Sequence, residues 1–383
     1  MPNIGSAGAG LANERLSAAA ERLPSTFDIG VHEPPLEQHA GHHRPITGKT
    51  SARIPPRMST LHPLWLNRAP MRAATIRDGE VLVVEHPDPQ PGAGEILVRV
   101  RAAGLNGADM LQRRGLYPAP PGAPADIPGL ELAGEVAACG AGAERFGEGD
   151  RVMAVVAGGG QAELAVVHER AATPVPQGLD WPAAGGLPEV FTTAHDALFT
   201  QAELAMGERL LVHGGAGGVG TAAIQLGVAA GAQVTATVRR EELRDEVAAL
   251  GAEAIDPESF AEHGPFDVVL ELVGAPNLES NLGALNTGGR IAVIGVGGGA
   301  KAELNLLALM GKRARIHGST LRARPLEGKA QAARAVERHV LPLFESGAAT
   351  VPVAATFAFD DVAAAYDRFA EGGKLGKIVL TFD

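Results

Sequence analysis

The stretch "RLLVHGGAGGVGTAAIQL", residues 209–226, decides the fold. Its first apolar run predicts a buried strand, and the run after the glycines predicts a helix. Between them, Gly215, Gly217 and Gly220 satisfy the pattern G-x-G-x-x-G. That pattern is weak by itself but specific where it joins a strand to a helix. The stretch therefore predicts a dinucleotide-binding loop; a plain glycine-rich turn is the alternative in a chain with 50 glycines.

The glycines of this loop have separate expected tasks. Gly215 permits the tight turn, and Gly217 and Gly218 let backbone N–H groups approach a pyrophosphate. Gly220 lets the helix lie close to the strand. The helix N-terminus then favours the anion through free N–H groups and its dipole. The predicted cofactor-binding segment is the whole loop: Gly215, Ala216, Gly217, Gly218, Val219 and Gly220.

Strands and helices alternate from about residue 191 onward. Continuous apolar strands such as "FDVVLELVG" and "GRIAVIGVGG" imply a parallel sheet that is covered on both faces. Segment 191–321 is therefore predicted to be a doubly wound α/β domain that binds the dinucleotide. Strand carboxyl ends face the ligand crevice in such domains, so Val273, Gly274 and Gly295 are further cofactor-contact candidates.

The flanking segments have a different pattern. Residues 71–190 carry short strands separated by Pro and Gly turns, which predicts a β-rich, partly barrel-like domain. After about residue 322 come an amphipathic helix, a second helix and a final strand. We expect this tail to pack onto the β-rich domain, so 71–190 and 322–383 form one domain.

Residues 1–70 differ from the rest of the chain. They are rich in Ala, Gly, Pro, Ser and His and show no sustained period of 2 or 3.6. The close histidines His39, His42 and His43 suggest metal binding, but a disordered extension is the favoured interpretation because this composition cannot offset ordering entropy. Met71, where the character changes, is a possible natural start.

Composition limits the class of protein. The formal net charge of −11 argues against a nucleic-acid partner. A single cysteine, Cys139, rules out an intrachain disulfide and a cysteine-based structural zinc site. No apolar run approaches the roughly 20 residues of a membrane span. The N-terminus does not read as a signal peptide, so we expect a cytoplasmic protein without a membrane partner.

Arg239 and Arg240 follow the second strand of the predicted dinucleotide domain, the position whose side chain contacts the cofactor ribose in such domains. An acid at this position suits the 2′-OH of NAD, whereas guanidinium groups suit a 2′-phosphate. NADPH is therefore the expected cofactor. Glu241, turned inward, would make NADH the alternative. Arg322 and Lys377 could add positive charge near the cofactor, or they could be solvated surface charges.

The motifs resemble those of a known family. "NGADMLQRRGLYPAPPGAPADIPGLELAGEV", "LPEVFTTAHDAL", "HGGAGGVGTAAIQL" and "GKLGKIVL" are similar to the zinc-independent quinone oxidoreductases of the medium-chain dehydrogenase/reductase superfamily. "GSTLRARPLEGK" and "RHVLPLFESG" resemble its p53-inducible subgroup. The resemblance covers residues 71–383. It implies a GroES-like β-rich catalytic domain, a Rossmann domain and a homodimer joined by edge strands.

The same resemblance addresses zinc. Zinc-dependent members place a cysteine where this chain has Asn106, and a histidine where it has Leu130, within the stretch "IPGLELAGEV". The four-cysteine lobe is missing as well. Leucine cannot ligate zinc, so both zinc sites are expected to be absent. We expect Glu131 to be held by hydrogen bonds in a structural role, and Glu135 to be solvated.

Without a metal to polarise an alcohol, a substrate that accepts hydride readily is expected, such as a quinone or an activated C=C. By resemblance, Asn106 and Tyr117 lie at the nicotinamide end of the cleft and are the catalytic candidates. Tyr117 could instead pack a turn. Thr193 matches a threonine near the nicotinamide, or is an ordinary helix residue. Asp109 is expected to cap a helix.

The chain departs from the family pattern at the 2′-phosphate. Relatives that use NADPH often have a lysine where this chain has Glu242, and a tyrosine where it has Asp256-Pro257. Arg239 and Arg240 would have to replace both contacts. The expected function is NADPH-dependent quinone reduction. The alternatives are reduction of enones, enals or enoyl thioesters, and a non-catalytic NADPH-binding module.

Overall fold

The computed structural model describes residues 70–383. The predictions for residues 1–69, including the metal or disorder readings of His39, His42 and His43, lie outside the described residues. No helix in the described part is long and apolar enough to cross a membrane.

The described chain contains fifteen strands. In chain order they are β1 (Met71–Arg77), β2 (Glu80–His86), β3 (Glu95–Gly104), β4 (Glu131–Cys139), β5 (Arg151–Val155), β6 (Leu164–His168), β7 (Ala172–Pro174), β8 (Arg209–Val212), β9 (Gln233–Thr237), β10 (Glu253–Ile255), β11 (Phe266–Glu271), β12 (Leu285–Val293), β13 (Arg315–Gly318), β14 (Val353–Ala358) and β15 (Lys377–Thr381).

Ten α-helices connect these strands. They are α1 (Gly107–Arg113), α2 (Trp181–Gly186), α3 (Pro188–His195), α4 (Gly218–Ala229), α5 (Arg244–Ala248), α6 (Leu278–Gly283), α7 (Leu306–Lys312), α8 (Leu326–His339), α9 (Leu341–Glu345) and α10 (Val362–Glu371). A π-helical turn, Asp196–Gln201, follows α3 directly.

A six-stranded parallel sheet has the order β10-β9-β8-β11-β12-β13. Counted from β8, this is the doubly wound order 3-2-1-4-5-6. The order reverses between β8 and β11, so the glycine loop after β8 opens at the switch point where such sheets bind ligands. Leu210, Leu211 and Val212 of β8 are fully buried, as the apolar run predicted.

The second large sheet is mostly antiparallel and has seven strands. Its order is β14-β15-β3-β4-β5-β7, with β6 also paired to β3; β1 and β2 form a separate hairpin. Strand β15 from the tail pairs antiparallel with β3, with Leu380 opposite Ala103. The expectation that the tail packs onto the β-rich part is confirmed.

Two predicted helices differ in detail. The helix expected over the stretch that contains "VERHVLPLFESG" is broken at Val340 into α8 and α9, because Pro342 lacks the N–H that a continuous helix needs. The helix expected at "EELRDEVAALG" begins as a 3₁₀ turn, Glu241–Leu243, before α5.

Helix α3 lies between the two sheets. Its Val190, Phe191 and Ala194 belong to one buried core with Met153 of the antiparallel sheet and Val212 of the parallel sheet. Apolar burial on this scale fixes the helix rigidly. The polar residues of α3 are therefore held at the junction of the two sheets, beside the glycine loop.

Candidate active site

The glycine loop is shaped by close backbone contacts. Gly214 has the left-handed backbone conformation of the turn, with φ of 67°. Gly215, expected to permit that turn, is instead needed for space, because a Cβ there would lie 2.8 Å from Ala236 Cβ. A Cβ on Gly220 would lie 2.3 Å from Gly214 O, so only glycine lets α4 lie this close to the strand.

Helix α4 begins at Gly218 with Gly217 as its N-cap. The N–H groups of a first helical turn lack intrahelical acceptors, and the helix dipole adds positive potential there. Ala216 and Val219 flank this position. The predicted loop therefore forms the strand–turn–helix geometry that suits a pyrophosphate.

The tail of the chain is fastened to this loop. Gly376 N–H donates to Ala216 O at 2.8 Å, and Gly376 bridges to Gly217. The aliphatic part of Lys377 packs on Gly218, where a Cβ would lie 2.9 Å from Lys377 Cδ. The final segment thus joins the glycine loop to the antiparallel sheet.

Arg239 and Arg240 follow β9 and are exposed. Arg240 Nη1 lies 3.3 Å from Glu242 Oε1 in an exposed ion pair. Exposed pairs of this kind are weak because solvent screens them, so the guanidinium is available to a stronger anion. Glu241 is exposed as well.

Lys374 is a candidate that sequence reasoning missed. It lies one residue after Gly373, where an added Cβ would lie 2.4 Å from Arg240 Nε. Its Nζ donates to Gly376 O at 3.2 Å and lies 4.3 Å from the centre of the Phe369 ring. Burial, with Lys377 and Arg368 nearby, lowers the Lys374 pKa to about 8. The first lysine in "GKLGK" was the available signal.

The ends of β11 and β12 are held by one buried acid. Glu271 Oε1 accepts from Val273 N at 2.6 Å and from Gly274 N at 2.8 Å. Gly295 N donates to Glu271 O at 3.1 Å. These three N–H groups are therefore used within the protein, and cofactor contact at Val273, Gly274 and Gly295 would involve their other backbone atoms. Sequence reasoning missed Glu271, although "VVLELVG" shows an acid in an apolar run.

A buried ion pair lies at the centre of the site. Lys377 Nζ lies 2.7 Å from each of three acceptors, namely Leu105 O, Asn106 Oδ1 and Glu131 Oε1. The side chains of Lys377 and Glu131 are 3% and 0% exposed. An ammonium has three donors, so this arrangement satisfies all of them. The solvated reading of Lys377 is therefore wrong.

Glu131 is held on both oxygens. Oε1 also accepts from Asn106 Nδ2 at 2.9 Å, and Oε2 accepts from Glu189 N at 2.9 Å, at the first turn of α3. This matches the expectation that hydrogen bonds hold Glu131. Glu135 forms a partly exposed ion pair with Arg101 at 3.0 Å, where free solvation was expected.

These residues do not fit a zinc ion. Leu130 is buried and has no ligand atom, and both ends of the Asn106 amide are used by Glu131 and Lys377. The nearby cation is the Lys377 ammonium, which would repel a metal. Over residues 70–383, no group of three or more His, Cys, Asp or Glu side chains is placed to hold a metal ion.

Asp109 supports the same corner from helix α1. The N-cap of α1 is Asn106, whereas the sequence predicts Asp109 as the cap; Asp109 is the N3 residue of a capping box, in which its Oδ2 accepts from Asn106 N at 2.8 Å. Its Oδ1 accepts from Gly129 N at 3.1 Å. Burial raises the Asp109 pKa to about 6, while these hydrogen bonds oppose the rise.

Arg322 contacts both the ring and the backbone carbonyl of Tyr117. The Arg322 guanidinium lies 5.0 Å from the Tyr117 ring centre, and Nη1 donates to Tyr117 O at 2.8 Å. Its other donors bond Gln112 Oε1 at 2.5 Å and Ala157 O at 2.8 Å. Arg322 is buried, so it is not a solvated surface charge, and each of its three guanidinium nitrogens already has a partner. Its geometry suits positioning Tyr117 better than binding a cofactor.

Glu189 and Thr193 face each other along α3. Thr193 Oγ1 donates to Glu189 Oε1 at 3.3 Å. Burial, with the charge of Glu131 as a second cause, raises the Glu189 pKa to about 8. The Glu189 charge also acts to raise the pKa of Tyr117, so the two side chains interact electrostatically. Sequence reasoning missed Glu189, an acid in the apolar context of "GGLPEVF".

The structure thus brings Asn106, Thr193 and Lys377 together around Glu131 and Glu189. The Tyr117–Arg322 pair borders this group through its electrostatic interaction with Glu189. Arg239 and Arg240 follow β9, and Arg240 lies against the tail at Gly373.

Two family models match the chain. Residues 92–177 match the alcohol dehydrogenase GroES-like domain, and residues 218–338 match a domain described as zinc-binding dehydrogenase. The first lies within the antiparallel part of the fold, and the second spans the parallel sheet from α4 into α8.

The match to two curated relatives covers most of both chains. The quinone oxidoreductase of Rattus norvegicus is 31% identical over 304 residues, which cover 76% of this chain and 90% of the relative. The Homo sapiens protein of the same name is 30% identical over the same shares. Part of the chain, 208 residues, is 37% identical to 4% of the polyketide synthase GfsB of Streptomyces halstedii.

Solved structures share the fold. An alcohol dehydrogenase superfamily protein from Novosphingobium aromaticivorans superposes with a TM-score of 0.73 at 30% identity, over 82% of this chain and 100% of that one. A thermostable alcohol dehydrogenase from Pyrobaculum aerophilum gives a TM-score of 0.71 at 28% identity, over 81% and 99%.

Proposed function

The chain belongs to the quinone oxidoreductase family of the medium-chain dehydrogenase/reductase superfamily, and from this premise we propose that it reduces quinones with NADPH and without zinc. The observation that supports this most is the Lys377–Glu131–Asn106 cluster. It bonds the Lys377 ammonium to Asn106, the residue that by resemblance stands where zinc-dependent members have a cysteine, next to a loop shaped for a dinucleotide.

The substrate class follows from the chemistry of this cluster. Bound NADPH supplies a hydride. The Lys377 ammonium is fully committed to three acceptors and cannot polarise a substrate carbonyl. This favours an acceptor that is electron-poor by itself, as a quinone is.

The cofactor contacts form three groups. The glycine loop Gly215–Gly220 would bind the pyrophosphate, and Thr193 would lie near the nicotinamide. Arg239 and Arg240 would bind the 2′-phosphate. Lys374 would add a third cation, because it follows Gly373, which lies against Arg240. NADH is the less favoured cofactor, since it has no 2′-phosphate for these cations to bind.

The substrate end has two proposed residues. Tyr117, fixed by Arg322, would hydrogen-bond a substrate oxygen or stack on a flat quinone ring. Asn106 has both ends of its amide bonded within the protein, so its role is to position Lys377 and Glu131.

A second candidate function is the reduction of activated C=C bonds in enones, enals or enoyl thioesters. The similarity of 208 residues to a segment of polyketide synthase GfsB, and of 220 residues to a segment of PikAII from Streptomyces venezuelae, favours it. A non-catalytic NADPH-binding module is the remaining alternative.

One experiment separates these functions. NADPH and NADH oxidation would be measured against matched quinones and enones, with NADPH affinity measured in parallel. We expect the highest kcat/KM with NADPH and a quinone. A preference for enones would favour the second candidate. Tight NADPH binding without turnover on either class would contradict both enzymatic functions.

Assembly and location complete the proposal. We propose a homodimer formed through β13, the last strand of the parallel sheet, and the neighbouring helix α7. Helix α7 exposes Leu306, Leu307 and Met310, at 64%, 78% and 69%. A cytoplasmic location is consistent with the single cysteine, Cys139, which cannot form an intrachain disulfide.

A further inference from the structure

Glu189 has a position that disfavours its negative charge. It lies in the first turn of α3, where a helix dipole normally favours a carboxylate. The Glu131 carboxylate already occupies this helix N-terminus, because the Glu189 N–H donates to it at 2.9 Å. A negative charge on the Glu189 side chain would therefore be repelled by the Glu131 carboxylate.

The charges around Glu189 come from several elements. Glu131 on β4 and Asp109 on α1 oppose ionisation of Glu189, and Lys377 on β15 favours it. Tyr117 and Arg322 face the same carboxyl from the loop after α1 and the segment before α8. Lys377 is shared among three acceptors, so it offsets the two acids only in part. The Glu189 pKa is accordingly raised to about 8.

Thr193 contacts one oxygen of Glu189. The Thr193 hydroxyl donates to Oε1 at 3.3 Å. With this direction of the hydrogen bond, the proton of the neutral carboxyl is assigned to Oε2. Glu189 is partly buried, whereas Glu131 and Asp109 are fully buried.

The proposed reaction requires such a proton. A quinone that gains a hydride, with two electrons, becomes a hydroquinone monoanion and needs one proton to become neutral. We propose that the Glu189 carboxyl donates this proton from Oε2 to the substrate oxygen that gains the negative charge. The O–H bond of Glu189 breaks, a new O–H bond forms on the hydroquinone, and the Glu189 carboxylate regains its proton from solvent.

This inference rests on the proposed function and identifies Glu189 as the general acid of that reaction. For an enone acceptor the same step protonates the enolate oxygen. Positioned general acids contribute about 10²- to 10⁴-fold in rate, which sets the size of the expected effect.

The test compares Glu189→Gln and Glu189→Asp with Glu327→Gln, a control on an exposed acid paired with Arg170. We expect Glu189→Gln to lower kcat/KM for quinone about 100-fold or more at pH 7, with NADPH affinity changed less than about twofold. Wild-type kcat/KM should fall as pH rises through about 8, where the acid is lost. This fall should be absent in Glu189→Gln, and Glu189→Asp should recover part of the rate.

A second readout does not need turnover. Infrared titration of the enzyme without cofactor should show a protonated-carboxyl band that disappears near pH 8 in wild type and is missing in Glu189→Gln. If wild type reduces quinone and Glu189→Gln keeps its rate and pH profile, the inference is wrong while the proposed function stands. If wild type turns over no acceptor, the proposed function fails. The absence of the band from wild type would overturn the inference even if Glu189→Gln does not fold.

Discussion

Lys377 Nζ lies 2.7 Å from Glu131 Oε1, and neither side chain reaches solvent. A buried ion pair of this kind is weak evidence for stability by itself, since desolvation offsets much of the attraction. Its geometry matters for another reason. It holds Asn106 on one side and the first turn of α3 on the other, so one pair fixes two walls of the site.

Removing the lysine should leave the glutamate charged and alone. We expect Lys377→Met to lower the free energy of unfolding by about 3–5 kcal/mol, because it leaves an uncompensated buried charge. The double variant Lys377→Met/Glu131→Gln should recover part of the loss. Denaturant unfolding measures both, with the exposed Lys301→Met as control. A single variant as stable as wild type would contradict the described pair.

The glycine loop should tolerate no side chain at Gly220. An added Cβ would lie 2.3 Å from Gly214 O, so Gly220→Ala must push α4 away from the strand. We expect NADPH affinity, measured by fluorescence titration, to fall at least tenfold. Gly283→Ala is the matched control, because a Cβ there meets nothing within 4 Å. Equal losses in the two variants would argue against a role for loop geometry.

The cations beyond β9 should discriminate between the two nicotinamide cofactors. Charge-assisted hydrogen bonds contribute about 1.5–3 kcal/mol, so Arg239→Ala/Arg240→Ala should weaken NADPH binding about 10- to 100-fold and leave NADH binding unchanged. Lys374→Ala should act in the same direction. Arg338→Ala, on the exposed side of α8, serves as control. Equal affinities for both cofactors before and after mutation would refute the 2′-phosphate role.

Stability should depend on pH through Glu189. Its folded-state pKa, about 8, lies above the ordinary value of 4.5, so the folded state holds the proton more tightly than the unfolded chain. Stability from this group is complete below about pH 4.5 and is lost as pH rises toward 8. Glu189→Gln removes that loss, so its stability relative to wild type should rise between pH 5 and 9. Denaturant unfolding at both values measures the change, and a pH-independent difference would contradict the raised pKa.

The proposed dimer should depend on the exposed face of α7. Placing a charge there by Leu307→Lys should convert a dimer into a monomer in sedimentation equilibrium, because a buried lysine in an apolar interface lacks a partner. Leu82→Lys is the control, since Leu82 is also exposed, at 44%, but lies on β2 in the separate hairpin. A wild-type monomer, or a Leu307→Lys dimer, would contradict this interface.

The sequence was most informative where physics is local. The glycine loop and the alternation of strands and helices follow from periodicity and turn chemistry, and the structure confirms them. The packing of the tail onto the β-rich part is also confirmed, but its pairing with β3 is a long-range contact that periodicity does not give. Val340 was missed as a break because the helical pattern runs through it, although Pro342 was visible.

The polar interior could not be predicted in the same way. Arg322 reaches Gln112 across 210 positions of the chain, and Lys377 reaches Asn106 across 271. Hydrophobic periodicity shows that a segment is buried, but not which buried charge meets which partner. Glu189 and Glu271 were missed for this reason, and Lys377 and Arg322 were read as cofactor contacts or surface charges.

Lys377 also limits how this chain could evolve. A single Leu130→His change would restore one imidazole, but a divalent ion arriving there would meet a fixed ammonium that is held by three acceptors. Replacing the lysine first would strand Glu131 without its counter-charge. Each of these single changes therefore leaves either a metal ion facing an ammonium or a buried carboxylate without its counter-charge.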